Sequence, residues 1–98
     1  MRCEISIRPE AEAEIEEAYL WYEEQREGLG SDFLLCVEEC LEKIKKSPDM
    51  YPIVHRNVRR LLIRRFPYGI FYTVHQDFIT ILAVFHGHRD PRDWKLRS

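Results

Sequence analysis

The chain has 98 residues, 45% hydrophobic and 33% charged, a balance that excludes a disordered polymer and predicts one globular domain over residues 1–98. The formal net charge of −2 hides a division: residues 1–49 hold 6 Lys/Arg against 14 Asp/Glu, and residues 50–98 hold 9 against 3. No uncharged apolar run is long enough to span a membrane, and Met-Arg-Cys-Glu-Ile at the N-terminus lacks a signal-peptide stretch, so a cytoplasmic protein without a membrane partner is expected.

Cys3 to Arg8 alternates so that Cys3, Ile5 and Ile7 share one face, as in a half-buried strand. Pro9 stops this strand and suits the first turn of a helix predicted to run to about Arg26. Glu10, Glu12 and Glu14 lie near the helix N-terminus, where the macrodipole favours anions, and Ala11, Ile15, Ala18, Tyr19 and Tyr22 make the apolar stripe. Gly28-Leu29-Gly30 ends the first helix, and Ser31 is predicted to cap the next. Phe33, Leu34, Val37, Cys40, Leu41 and Ile44 form the second stripe, with Lys43, Lys45 and Lys46 in the last turns. The short linker makes the two helices an antiparallel hairpin, which Ser47-Pro48-Asp49 terminates.

After a loop containing Tyr51-Pro52, three strands are predicted: Val58 to Phe66, Tyr68 to Val74, and Phe78 to Phe85, the last buried on both faces. Short turns between them imply an antiparallel meander. The expected fold class is α+β: an N-terminal strand, a helical hairpin, then a three-stranded meander, with the sheet packed on the two helices.

An odd cysteine count without an export signal argues against a disulfide framework. Cys36 and Cys40 are four apart on one helical face, a spacing that a metal site with a histidine would use. The apolar neighbours Val37, Leu41 and Ile44 instead favour core thiols, and no metal or other cofactor is expected.

Function is expected on the basic half, because arginines packed this densely call for an anionic partner. The competing reading is a solvated, solubilising surface. Arg59, Arg60, Arg64 and Arg65 bracket Leu61-Leu62-Ile63. Strand alternation sends Arg60 and Arg64 to one side and Arg59 and Arg65 to the other. The C-terminal segment adds His86, His88, Arg89, Arg92 and Trp94 where the apolar strand ends. Arginine binds phosphate bidentately, histidine moves protons near neutral pH, and an aromatic ring stacks on a base. Such a set suits RNA cleavage or charge-based docking, while Trp94 also suits a lid over the core edge.

Arg8-Pro9-Glu10-Ala11-Glu12-Ala13-Glu14-Ile15, Trp21-Tyr22, Gly28-Leu29-Gly30, Pro48 and Tyr51-Pro52 resemble, in that order, the first half of the RelE/ParE toxin superfamily. Arg59-Arg60, then Arg64-Arg65-Phe66-Pro67-Tyr68 and Ile70-Phe71-Tyr72, are similar to its middle strands. Ile81 to Pro91 with Trp94 is similar to its ending. The resemblance implies the toxin of a bacterial type II toxin–antitoxin pair. Its partner would be a cognate antitoxin with an acidic, amphipathic C-terminal segment, contacting operator DNA only through the antitoxin.

The Trp-Tyr helix, the Gly-Leu-Gly turn and the Arg-Arg-Phe-Pro-Tyr strand resemble the ParE branch, whose members are thought to block DNA gyrase without enzymatic activity. Residues 49–57 contain no lysine and no tyrosine follows Tyr72, unlike the pattern of RelE-like nucleases. The target surface then comprises Arg59, Arg60, Arg64, Arg65, His86, His88, Arg89, Arg92 and Trp94. The antitoxin surface comprises Tyr19, Tyr22, Arg59, Arg60, Arg64 and Arg65. In the RelE-like alternative, a metal-independent endoribonuclease acting on ribosome-bound mRNA, Arg65 and Arg89 hold phosphate and His86 or His88 moves protons. A non-toxic binding module of the same fold is the third reading.

Overall fold

A computed structural model describes residues 3–86. Its elements are β1 (Glu4–Ile7), α1 (Pro9–Gln25), α2 (Leu29–Lys46), β2 (Ile53–His55), β3 (Val58–Leu62), β4 (Tyr68–His75) and β5 (Phe78–His86). The five strands form one sheet in the order β1-β5-β4-β3-β2. β1 runs parallel to β5 and every other pair is antiparallel. The fold class is α+β, as the pattern predicts.

The helical hairpin covers one face of the sheet. Ala11, Ala18 and Tyr22 of α1 and Phe33, Val37, Cys40 and Ile44 of α2 are buried against Ile70, Tyr72, Ile79, Ile81 and Val84. These helical positions all belong to the predicted stripes. On the opposite face Val58, Phe71, Leu82, Ala83 and Phe85 form a second buried cluster. β5 contributes to both because its side chains alternate between faces, and a bulge lies between the pairs Phe71–Ala83 and Tyr72–Ile81. The extra residue places Leu82 and Ala83 in the same cluster.

Three boundaries differ from expectation. First, α2 starts at Leu29 rather than after Ser31. Gly28 turns the chain at φ +88°, a left-handed conformation that suits glycine. Ser31 is not the cap. The Glu23 carboxylate of α1 reaches across, with Oε1 accepting from the amides of Gly30 (2.8 Å) and Ser31 (3.2 Å) and Oε2 from Gly28 (3.2 Å). Gly30 permits this early start: a Cβ there would lie 2.5 Å from the Tyr19 carbonyl oxygen.

Second, the sheet has a fifth strand, β2, too short and too close to Pro52 to show any periodicity. It reaches β3 through a turn with Arg56 at φ +50°. Third, β3 ends at Leu62, so the predicted alternation of Arg64 and Arg65 across a strand does not occur. Residues 63–67 form a loop, closed by the Ile63 amide donating to the Tyr68 carbonyl at 2.9 Å. Pro67 supplies no amide for a ladder there.

Candidate functional site: a divided basic run

The four arginines of the basic run occupy three different environments. Arg59 faces the helical side, opposite Tyr72 in register. Its Nη1 donates to the carbonyl oxygens of Asp49 (3.0 Å) and Tyr51 (2.6 Å), and its Nη2 lies 3.7 Å from Asp49 Oδ1. The Tyr72 hydroxyl donates to the Pro48 carbonyl oxygen at 2.7 Å. Burial pushes the Tyr72 phenol up to about 12. Together the two side chains pin residues 48–51 to the sheet, so the donors of Arg59 are engaged within the chain.

Arg60 points to the other side, opposite Phe71. Its stem lies over Gly69, where a Cβ would come within 3.4 Å of Arg60 Cγ. Its Nε is buried and has no hydrogen-bond partner among the described residues. The hydrocarbon thus covers part of the second cluster's face while the residue as a whole keeps some solvent access.

Arg64 and Arg65 are exposed on the loop. Arg65 takes φ +75°, unusual for a residue with a Cβ. Its guanidinium lies 5.7 Å from the centre of the Phe66 ring and 3.6 Å from Asp32 Oδ2. Phe66 is buried and packs edge-on against Tyr22 (4.9 Å) and Phe33 (5.3 Å). The cationic loop is therefore anchored on the helical hairpin through an aromatic cluster.

Beside the loop, a groove of about 480 Å³ runs between α1 and the ends of β4 and β5. Ala18, Tyr22 and Tyr68 line it, with Trp21, Glu17 and His86 among the other lining residues. Trp21 is 55% exposed and meets Tyr22 edge-on at 5.0 Å. His86 ends β5 opposite Tyr68, the two rings 6.2 Å apart. Glu14 Oε1, on the groove wall, accepts the Val84 amide at 3.1 Å, beyond the point where β1 stops pairing with β5.

Of the two tyrosines expected at an antitoxin surface, Tyr22 is a core side chain whose phenol is pushed up by burial and by Tyr68. Tyr19 is half-buried, and its ring sits beside Gly30. The sequence reading passed over Trp21 as a site residue and missed Glu14, Glu17 and Tyr68. A large aromatic beside, rather than on, the apolar stripe of α1 was the available signal for Trp21.

His88, Arg89, Arg92 and Trp94 lie outside the described residues. A larger depression of about 770 Å³, between β1 and α2, is lined by Cys3, Ile5 and Leu41 with Glu38, Glu42 and Lys45. It gathers none of the predicted site residues. Cys40 is buried, and burial raises its thiol. Among the described residues, no group of three or more His, Cys, Asp or Glu side chains is arranged to hold a metal ion. No described helix is long and apolar enough to cross a membrane.

The two-helix hairpin on one face of a mixed sheet agrees with the α+β fold that the resemblance to the RelE/ParE toxins implies. The solved structure of the chromosomal ParDE TA system from P. aeruginosa contains a similar chain, with TM-score 0.65 and 20% identity, covering 86% of this chain and 95% of that one. A family model for the ParE toxin of the type II toxin–antitoxin system parDE matches residues 5–91, and the chain belongs to that family. No curated protein matches the sequence.

Proposed function

We propose that this chain is a toxin that acts by docking on DNA gyrase, without catalysis of its own, and that a cognate antitoxin neutralises it in the cytoplasm. The observation that carries the docking reading is the exposed Arg64–Arg65 loop, anchored by Phe66 and bordering the Trp21 groove. Arginines and aromatics grouped on a supported surface are the usual energetic centres of protein interfaces. The choice of gyrase rests on membership of the ParE family.

In this reading the docking set is Arg60, Arg64, Arg65 and His86, together with His88, Arg89, Arg92 and Trp94 of the C-terminal segment. Arg59 is left out because its donors serve the 48–51 loop. The antitoxin lays the apolar face of an amphipathic helix along Tyr19 and the Trp21–Tyr22 groove, and its acidic residues meet Arg64 and Arg65. Operator DNA is contacted through the antitoxin.

Toxicity of single variants separates docking from RNA cleavage. Losing a general acid or base lowers a rate by about 100- to 10,000-fold, whereas an interface spreads its energy over several side chains. Expressed without antitoxin, His86→Ala and His88→Ala are expected to retain most growth inhibition, and Arg65→Ala combined with Arg89→Ala to lose it. Cleavage of mRNA on translating ribosomes that disappears with either histidine would replace this reading with the nuclease. A folded, antitoxin-free protein that harms neither gyrase nor mRNA would replace it with a non-toxic binding module.

A further inference from the structure

Asp32 lies in the first turn of α2, and arginines from two other parts of the chain converge on it. Arg26, just past α1, places Nη2 4.0 Å from Asp32 Oδ2, and Arg65 places Nη2 3.6 Å from the same oxygen. Two cations share one carboxylate oxygen, and Arg64 next to Arg65 makes no ion pair among the described residues. Among the described residues Asp32 is the carboxylate that pairs with both Arg26 and Arg65, while Glu23 is engaged with the backbone amides of the turn.

The framework of this cluster is held in place. The Asp32 amide donates to the Gly28 carbonyl oxygen at 3.0 Å, and the Glu23 carboxylate fixes the neighbouring amides. Arg65 is set by its left-handed backbone and by the Phe66 ring. The ion pairs themselves are open to solvent, with the Asp32 side chain 39% and the Arg65 side chain 60% exposed. Exposed pairs of this kind are weak and easily exchanged.

We infer that Asp32 is a built-in competitor: its carboxylate holds Arg26 and Arg65 in a carboxylate-binding arrangement and gives them up to a Glu or Asp of an acidic peptide. It thereby sets how tightly the loop takes the acidic segment of an antitoxin. The inference rests on the reading that the Arg64–Arg65 loop docks an acidic partner. A peptide fits better than a nucleic acid here. The first 49 residues hold 14 acidic side chains, so a continuous phosphate backbone laid beside the hairpin would meet repulsion. A peptide brings one or two carboxylates to the point where they are wanted.

The test is fluorescence anisotropy with a short labelled Glu-Ala peptide, and with a short labelled single-stranded DNA, at low salt. Asp32→Asn should bind the peptide about three- to fivefold more tightly than the wild type. Adding Arg65→Ala should abolish that gain. Glu27→Gln, which removes a nearby charge outside the cluster, should change binding by less than about twofold.

Asp32→Ser, which keeps a short hydrogen-bonding side chain in the first helical turn, replaces Asp32→Asn if circular dichroism shows the latter to be misfolded. Equal or weaker peptide binding by the folded Asp32 variant overturns the inference. If Arg65→Ala weakens wild-type binding while the Asp32 variant gains nothing, the competitor role alone falls. If Arg65→Ala leaves wild-type binding unchanged, the docking reading of the loop falls with it. A larger gain for the DNA than for the peptide would also overturn the assignment, in favour of a nucleic-acid ligand.

Discussion

Arg59 and Arg65 belong to one basic run, yet Arg59 gives its guanidinium to two carbonyls of residues 49–51 while Arg65 stands in solvent on a left-handed backbone. The difference arises from where β3 stops. Inside the strand, register decides the face, and Arg59 is directed toward the helical layer opposite Tyr72. Beyond Leu62 the strand rule lapses, and the loop presents Arg64 and Arg65 together. Charge density along a chain therefore does not define a patch; the end of a strand can separate an arginine whose donors serve the fold from arginines exposed on a loop.

The largest test of this division is Arg59→Ala. It removes charge-assisted hydrogen bonds and leaves two carbonyls with weaker partners, a loss of about 2 kcal/mol. In a domain of this size that corresponds to a melting temperature lower by about 8–16 °C. Arg65→Ala should stay within about 0.5 kcal/mol of the wild type, since surface substitutions rarely do more. Equal destabilisation by the two variants in thermal melts would erase the distinction.

Tyr72→Phe comes next. The buried hydroxyl and its bond to Pro48 are lost, at a cost of about 1 kcal/mol. Because burial raises the phenol from 10.0 to about 12 in the folded chain, its contribution is complete below pH 10 and disappears as pH rises from 10 through 12. Denaturant titrations across that window should show a steeper alkaline loss in the wild type than in the Phe variant, which keeps the raised Tyr22 and Cys40 groups.

Arg65→Gly sharpens the contrast further. Glycine adopts φ +75° without a Cβ penalty, so stability should hold or rise by up to about 1 kcal/mol while the exposed guanidinium is gone. A clear drop in stability would mean that the Arg65 side chain contributes more to the fold than to the surface.

Glu23→Gln should have a smaller effect, confined to the hairpin turn. Hydrogen bonds from Gly28, Ser31 and Gly30 hold this carboxyl below its ordinary value of 4.5. Its contribution is therefore present above that value and is lost as pH falls through the lower, folded-state value. The wild type and the Gln variant should differ in melting temperature at neutral pH and converge in acid. A constant difference at all pH values would remove the carboxylate's role as the cap of α2.

Helical periodicity made both stripes legible, from Ala11, Ala18 and Tyr22 to Phe33, Val37, Cys40 and Ile44. The hairpin was legible from its short linker, the two-faced β5 from the nearly continuous apolar run Phe78 to Phe85, and the α+β class from the order of these elements. What periodicity missed depends on partners distant in sequence. Glu23 caps a helix other than its own, and Glu14 accepts an amide 70 residues away. β2 has only three residues, too few for alternation to register. The apolar Leu61-Leu62-Ile63 between arginine pairs read as one strand through Phe66, although the chain leaves the ladder after Leu62. The site was legible as a set of residue types but not as a geometry. Nothing in the pattern tells which arginine finds carbonyls and which finds solvent.

The proposed mode of action is tested most directly by the supercoiling of relaxed plasmid by purified DNA gyrase, with wild-type protein and with Arg64→Ala combined with Arg65→Ala. The wild type should inhibit supercoiling, more weakly as salt rises, because charge complementarity governs the encounter. The double variant, equally stable in thermal melts, should inhibit poorly. Full supercoiling in the presence of wild-type protein that arrests growth in cells would contradict the account. So would undiminished inhibition by the double variant.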